Sequence, residues 1–315
     1  MTHAMPAPVR LPADIVQRLV DAGLDADHVH AVIHAALQED RGGGVDVTSV
    51  AVVPADQRAV ADVVARAAGV IAGLPIAAAT FVVAGDDQVE VEFLAADGEQ
   101  VPAGARLLTV SGPARSLLTA ERTALNFLAH LSGIATATAR WVAEIAGTGA
   151  VIRDTRKTTP GLRMLEKYAV RCGGGENHRM SLADAALIKD NHIMAAGGIS
   201  EAFARVRAMF PEVPVEVECD TLPQVAEAVR AGAQLVLLDN MPPAMVRQAV
   251  AMVRDLGAAG RCRLEVSGGL TLAQARAVAE TGVQYLAVGS ITHSAPVLDV
   301  GLDFRAVGSG PPAVG

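Results

Sequence analysis

From about residue 150 the sequence settles into a rhythm that few folds can satisfy. Short β-branched runs ("AVIRDT", "AALIKD", "PVEVECD", "QLVLLDN", "CRLEVSG", "QYLAVGS") alternate with alanine-rich segments of helical spacing. Examples are "LPQVAEAVRAGA" and "TLAQARAVAETG", each with a glycine at or near its C-terminal end. Strands separated by helices run parallel, because each helix returns the chain across the sheet before the next strand starts. Six such strands, each ending in polar residues, point to a (β/α) barrel, complete or incomplete, more than to an open sheet. The alternative is an open, doubly wound sheet, but no G-x-G-x-x-G follows the first strand.

The first 130 residues read differently. Spacing predicts a helix near Asp27 to Gln38, and "VEVEFLAADGEQVPAGARLLTVSGPA" predicts strands joined by Gly and Pro turns, as in an antiparallel sheet. The stretch from Ala67 to Gly85 carries no charge and is about as long as a membrane span. Gly69, Gly73 and Pro75 make it a strand, a turn and a buried helix instead. Two further helices are expected over Ser116 to Ala129 and Ile134 to Ala146. The expected division is an α+β domain over 1–130 ahead of a barrel over 131–291, and 292–315 are expected to pack back on the first domain. The tail "GSGPPAVG" has a disordered composition. Only 3% of residues are aromatic although 51% are hydrophobic, so both cores must be built from Ala, Val, Leu and Ile.

A net charge of -8 argues against nucleic acid or an anionic membrane as a partner of the whole surface. The three cysteines are far apart and form no C-x-x-C pair, and the N-terminus has no apolar core of a signal peptide; a reducing cytoplasm is expected. Against this acidic background, residues Arg153 to His192 hold eight Arg and Lys but five acids, with two His besides. All three lysines of the chain (Lys157, Lys167 and Lys189) fall here, and Lys167 reads as a solvated helix position. The segment is a local anion site.

In a (β/α) barrel the chemistry sits at the C-terminal ends of the strands. In order these are Thr155-Arg156-Lys157, Lys189-Asp190-Asn191, Glu218-Cys219-Asp220, Asp239-Asn240, Ser267-Gly268-Gly269 and Gly289-Ser290. Cations come first, carboxylates follow, and small residues come last. The last two ends expose backbone N–H groups suited to a phosphate. In "VEVECD", Val215, Val217 and Cys219 face the helices, while Glu216, Glu218 and Asp220 face the barrel axis. Glu218 and Asp239 are candidates to hold Mg²⁺ through water or to bind sugar hydroxyls; the alternative is a structural ion pair with Lys157 or Lys189. Arg156, Arg179 and Lys189 can clamp carboxylate or phosphate oxygens, and His178 can donate to one more. His192 is expected to orient a neighbour. His293 is placed near the phosphate ends, and His28, His30, His34 and His130 are ordinary residues of the first domain.

The run "DTRKTTPGLRMLEKYAVRCGGGENHRMSLADAALIKDNH" resembles the signature of the quinolinate phosphoribosyltransferases. "LQEDRGGGVDVTS" and "ERTALNFLAHLSGIAT" upstream are similar to that family's patterns, as are "EVECD", "LLDNM", "EVSGGL" and "AVGSITHS" downstream. The resemblance implies an N-terminal α/β open-faced sandwich domain followed by an incomplete (β/α) barrel. It also implies a homodimer, or a multiple of one, with shared active sites. The implied reaction joins quinolinate to phosphoribosyl pyrophosphate with Mg²⁺, yielding nicotinate mononucleotide, pyrophosphate and CO₂.

It further implies that Thr155, Arg156, His178, Arg179 and Lys189 serve quinolinate, with Arg122 entering from the partner subunit. Lys157 would meet phosphoribosyl pyrophosphate, and Glu218 and Asp239 the ribose and Mg²⁺. Ser267, Gly268, Gly269, Val288, Gly289 and Ser290 would hold the 5′-phosphate. Lys157, Lys189, Glu218 and Asp239 are the implied catalytic set. Two rival readings are an aldolase using Lys189 as a Schiff-base amine, and an anion-binding relative linked to molybdate transport.

Overall fold

A computed structural model describes residues 11–305; the tail "GSGPPAVG" lies outside them. The described residues form two compact units, one of 11–136, 160–173 and 295–305, the other of 137–159 and 174–294.

The first unit opens with three helices, α1 (Ala13–Asp21), α2 (Ala26–Arg41) and α3 (Val47–Val52). Strand β1 (Arg58–Ala65), the short β2 (Gly69–Val70) and helix α4 (Leu74–Gly85) follow, then β3 (Glu90–Phe93), β4 (Gln100–Val101) and β5 (Arg106–Pro113). Its main sheet has the order β12-β1-β5-β3 and is antiparallel, with β12 (Val300–Phe304) returning from the far end of the chain to pair with β1. Ten of the twelve residues of α4 are buried, which makes it the core of this unit. Among the described residues no helix is long and apolar enough to cross a membrane.

Two expectations fail here. The two helices expected over 116–146 are a single helix, α5 (Ala114–Glu144), uninterrupted at Gly133. That glycine serves packing rather than termination: a Cβ there would lie 2.2 Å from the Pro296 carbonyl oxygen. The second failure concerns α6 (Arg163–Cys172), expected in the barrel segment but folded into the first unit. Tyr168 donates to Asp97 at 2.6 Å, and Asp97 also accepts the Gly73 and Leu74 N–H groups at the start of α4. Glu166 is fully buried against His130 Nε2 at 2.8 Å, and Lys167 is fully buried as well, so it is not a solvated position.

The second unit contains β6 (Val151–Arg153), β7 (Ala186–Ile188), β8 (Val215–Cys219), β9 (Leu235–Asp239), β10 (Arg263–Ser267) and β11 (Tyr285–Ala287). Between them run α7 (Asp190–Ala196), α8 (Ile199–Met209), α9 (Leu222–Ala231), α10 (Pro243–Asp255) and α11 (Leu272–Ala279); α12 (Ser290–His293) follows β11. All neighbouring strands are parallel, in the order β6-β11-β10-β9-β8-β7. No pairing joins β6 to β7, so the barrel is incomplete. The strand positions alternate: Leu187, Leu237 and Ala287 turn to the cavity side with Glu265, while Val217, Val236, Leu238, Leu264 and Leu286 take the opposite, helix-covered face and are fully or almost fully buried.

Candidate active site

The strand ends of the second unit enclose a cavity of about 640 Å³. Its walls include Thr155, Arg156 and Lys157 after β6, His178 and Arg179 before β7, and Lys189 after it. Glu218 and Asp239 come from the ends of β8 and β9, and Ser267, Gly268 and Gly269 from the end of β10. These eleven expected residues converge because parallel strands deliver all their C-terminal ends to one side of a sheet.

Val288, Gly289 and Ser290 are not among the lining residues. Val288 is buried, and Gly289 sits beside the Lys157 side chain. His293 is exposed and bonded to Ser294. Arg122 stands exposed on α5 in the first unit. His192 accepts the Lys189 N–H at 3.0 Å, which fixes the start of α7.

Charge divides the cavity. Lys189 Nζ lies 2.6 Å from Glu218 Oε2, the ion pair weighed above as an alternative for this carboxylate. An ammonium so paired is a poor Schiff-base nucleophile, which tells against the aldolase reading. Asp239 accepts from the Asn240 amide at 2.7 Å. By contrast, neither Arg156 nor Arg179 is in an ion pair among the described residues. Arg179 donates to the Ala185 carbonyl at 2.7 Å, and the buried Nε of Arg156 has no hydrogen-bond partner. Burial, and Arg156 nearby, hold the Arg179 guanidinium below its ordinary pKa. Two such guanidiniums side by side favour a ligand that brings negative charge.

Beneath this rim lies a buried polar layer. His178 Nε2 is 2.6 Å from Glu216 and 3.6 Å from Glu265, and Arg153 donates to Glu265 at 2.7 Å while stacking over Tyr285. Asp154, fully buried, holds the His178 N–H at 2.8 Å and the Asn177 amide at 2.6 Å, so His178 is fixed through its own backbone. Asp220, expected toward the axis, is exposed at the strand end, where its N–H binds Gln224.

Glu265 lines the cavity without having been singled out in the sequence, and Asn240, named there only as part of a strand end, lines it too. Glu265 had a signal. It shares a face of β10 with Arg263 and Ser267 and alternates with Leu264 and Val266, so the face that delivers Ser267 to the cavity also carries the carboxylate.

A parallel barrel with cations, carboxylates and a glycine turn around one cavity defines an enzyme site for anionic substrates. The comparisons narrow that class. The quinolinate phosphoribosyl transferase C-terminal domain matches residues 134–303, and the N-terminal domain of the same family matches residues 46–132. The nicotinate-nucleotide pyrophosphorylase (carboxylating) of Mycobacterium leprae is 50% identical over 278 residues, which is 88% of this chain and 97% of that protein. NadC from Streptococcus pyogenes has a TM-score of 0.83 at 39% identity, covering 90% of this chain and 99% of the other. For the nicotinate-nucleotide pyrophosphorylase of Francisella tularensis the values are 0.82 and 37%, covering 96% and 100%. The chain belongs to the quinolinate phosphoribosyltransferase family.

Proposed function

We propose that the chain moves the phosphoribosyl group of phosphoribosyl pyrophosphate onto the ring nitrogen of quinolinate and releases CO₂. The products are nicotinate mononucleotide and pyrophosphate, in de novo NAD synthesis. The observation that carries this reading is the pair of guanidiniums, Arg156 and Arg179, in no ion pair among the described residues, in a cavity that also holds carboxylates and a glycine turn. Quinolinate supplies the missing negative charge. Its two carboxylates are assigned to Arg156, His178, Arg179 and Lys189, with Thr155 beside them and Arg122 of a partner subunit completing the site. Lys157 meets the pyrophosphate. Ser267, Gly268 and Gly269, with Val288, Gly289 and Ser290, are assigned to the 5′-phosphate.

Cleavage of the bond between ribose C1 and pyrophosphate develops positive charge on the sugar, which Glu218 and Asp239 stabilise. Their oxygen-only donor set suits Mg²⁺, held through water because Glu218 already binds Lys189. Mg²⁺, when bound, neutralises the leaving pyrophosphate. The ring nitrogen becomes cationic on ribosylation and then withdraws electrons from the adjacent carboxylate, so transfer precedes loss of CO₂.

Incubation with quinolinate, phosphoribosyl pyrophosphate and Mg²⁺ is expected to give equal amounts of CO₂ and nicotinate mononucleotide. Nicotinate, one carboxylate short, is expected to react far more slowly, since it leaves a buried cation unpaired. Failure to consume quinolinate, or equal rates on both acids, overturns the reading.

The shared site and the homodimer have their own test. Inactive Arg122→Ala and inactive Lys157→Ala subunits, allowed to exchange, should regain part of the activity, because one site of each mixed dimer then carries neither lesion. Mixed dimers that are verified by mass spectrometry but stay inactive contradict the shared site. The three free cysteines, two of them buried, accord with a reducing compartment, and the cytoplasm is the proposed location.

A further inference from the structure

Three carboxylates line the cavity, and two are committed: Glu218 to Lys189 and Asp239 to Asn240. Glu265 differs. It is fully buried, its Oε2 is fixed by Arg153 at 2.7 Å, and its Oε1 has no hydrogen-bond partner. That oxygen lies 3.6 Å from His178 Nε2, which Glu216 already holds at 2.6 Å, and Glu265 lines the cavity to which a quinolinate carboxylate is assigned. An ionised Glu265 would repel such a carboxylate, and a neutral acid would not.

We propose that Glu265 protonates the pyridine carbon from which CO₂ departs. This rests on the reaction proposed above. When the bond between that carbon and its carboxylate breaks, the electron pair stays on the carbon, next to the cationic ring nitrogen. The Glu265 O–H bond then breaks, its proton goes to the carbon, and the resulting carboxylate is already held by Arg153. A solvent proton restores the acid after product leaves. The charged and titratable groups facing Glu265 are Glu216 of β8, His178, Arg153 of β6 and Tyr285 of β11. Burial, followed by the Glu216 carboxylate, raises Glu265 to a pKa of about 7, so the acid form is present near neutral pH.

Glu265→Gln keeps the shape and a hydrogen-bond acceptor for Arg153 but has no acidic proton. In the full chain with quinolinate, phosphoribosyl pyrophosphate and Mg²⁺, KM for both substrates should stay within about two-fold. CO₂ release should fall by about 100-fold or more. In a single turnover the nucleotide that keeps both ring carboxylates should accumulate, because the carbanion recaptures CO₂ when no proton arrives. Wild-type kcat should decline as pH rises through about 7, where Glu265 loses its proton, and Glu265→Gln should lack that decline. Glu265→Asp should recover part of the rate. The wild-type thermal midpoint retained in Glu265→Gln would assign the rate loss to chemistry rather than folding. An undiminished kcat in Glu265→Gln, or a loss confined to KM for quinolinate, overturns the proposal while the parent reaction stands. A wild-type protein that does not consume quinolinate overturns both.

Discussion

Residues 160–173 and 174–192 are consecutive and similarly rich in charge, yet they do different work. The first stretch forms α6, where Glu166 and Lys167 are fully buried in the first unit. The second brings His178, Arg179 and Lys189 to a cavity wall in the second unit. Charge is fully buried in the first stretch, whereas in the second Arg179 is half-buried and Lys189 exposed at the cavity. What further separates them is completion: Glu166 meets His130 within its own unit, whereas Arg179 has only a backbone carbonyl. A site for an anion is a place where the fold leaves positive charge without its counterion.

Substitutions on either side should break in different currencies. Glu166→Ala removes one partner of a buried pair and is expected to lower folding stability by about 3–5 kcal/mol. Denaturant unfolding checks this, and unchanged stability would erase the distinction. Arg179→Ala or Lys189→Ala should leave stability nearly intact and weaken quinolinate binding by about 2–5 kcal/mol. Calorimetry of both variants measures it; wild-type affinity in each would remove their assigned roles. A smaller effect is expected at the glycine turn. Gly268 has φ +93°, and a Cβ there would lie 2.3 Å from Asn240 Oδ1 and 2.9 Å from the Asn240 nitrogen. Gly268→Ala should therefore cost about 1–3 kcal/mol of stability and raise KM for phosphoribosyl pyrophosphate more than for quinolinate. Equal changes in the two KM values would show that the turn does not serve the phosphate.

The barrel was legible because its strands are short, apolar and capped by polar residues, so strand ends could be read in order. Eleven of the expected site residues share one cavity for that reason. The misreadings have a common cause, since spacing along a chain does not reveal what a side chain meets. Gly133 looks like a helix stop, but it makes room for the backbone at Pro296. Lys167 looks solvated because a lysine in a helix ordinarily is, and α6 buries it. Glu265 is a single acid in an apolar strand, and no neighbour in sequence announces Arg153 or His178 beside it. Arg122 lies in the other unit, and its part rests on family resemblance and the subunit-exchange test.

The pairing of β12 with β1 has a consequence for how the chain is made. Ala61 stands opposite Phe304, so the strand synthesised early waits for one synthesised more than two hundred residues later. The second unit has all of its residues by 294, whereas the sheet of the first unit is completed only by residues 300–304. Until then β1 presents an unpaired edge, the kind of surface that recruits strands from other chains. A chain cut before residue 300 is therefore expected to aggregate more readily than one that carries β12.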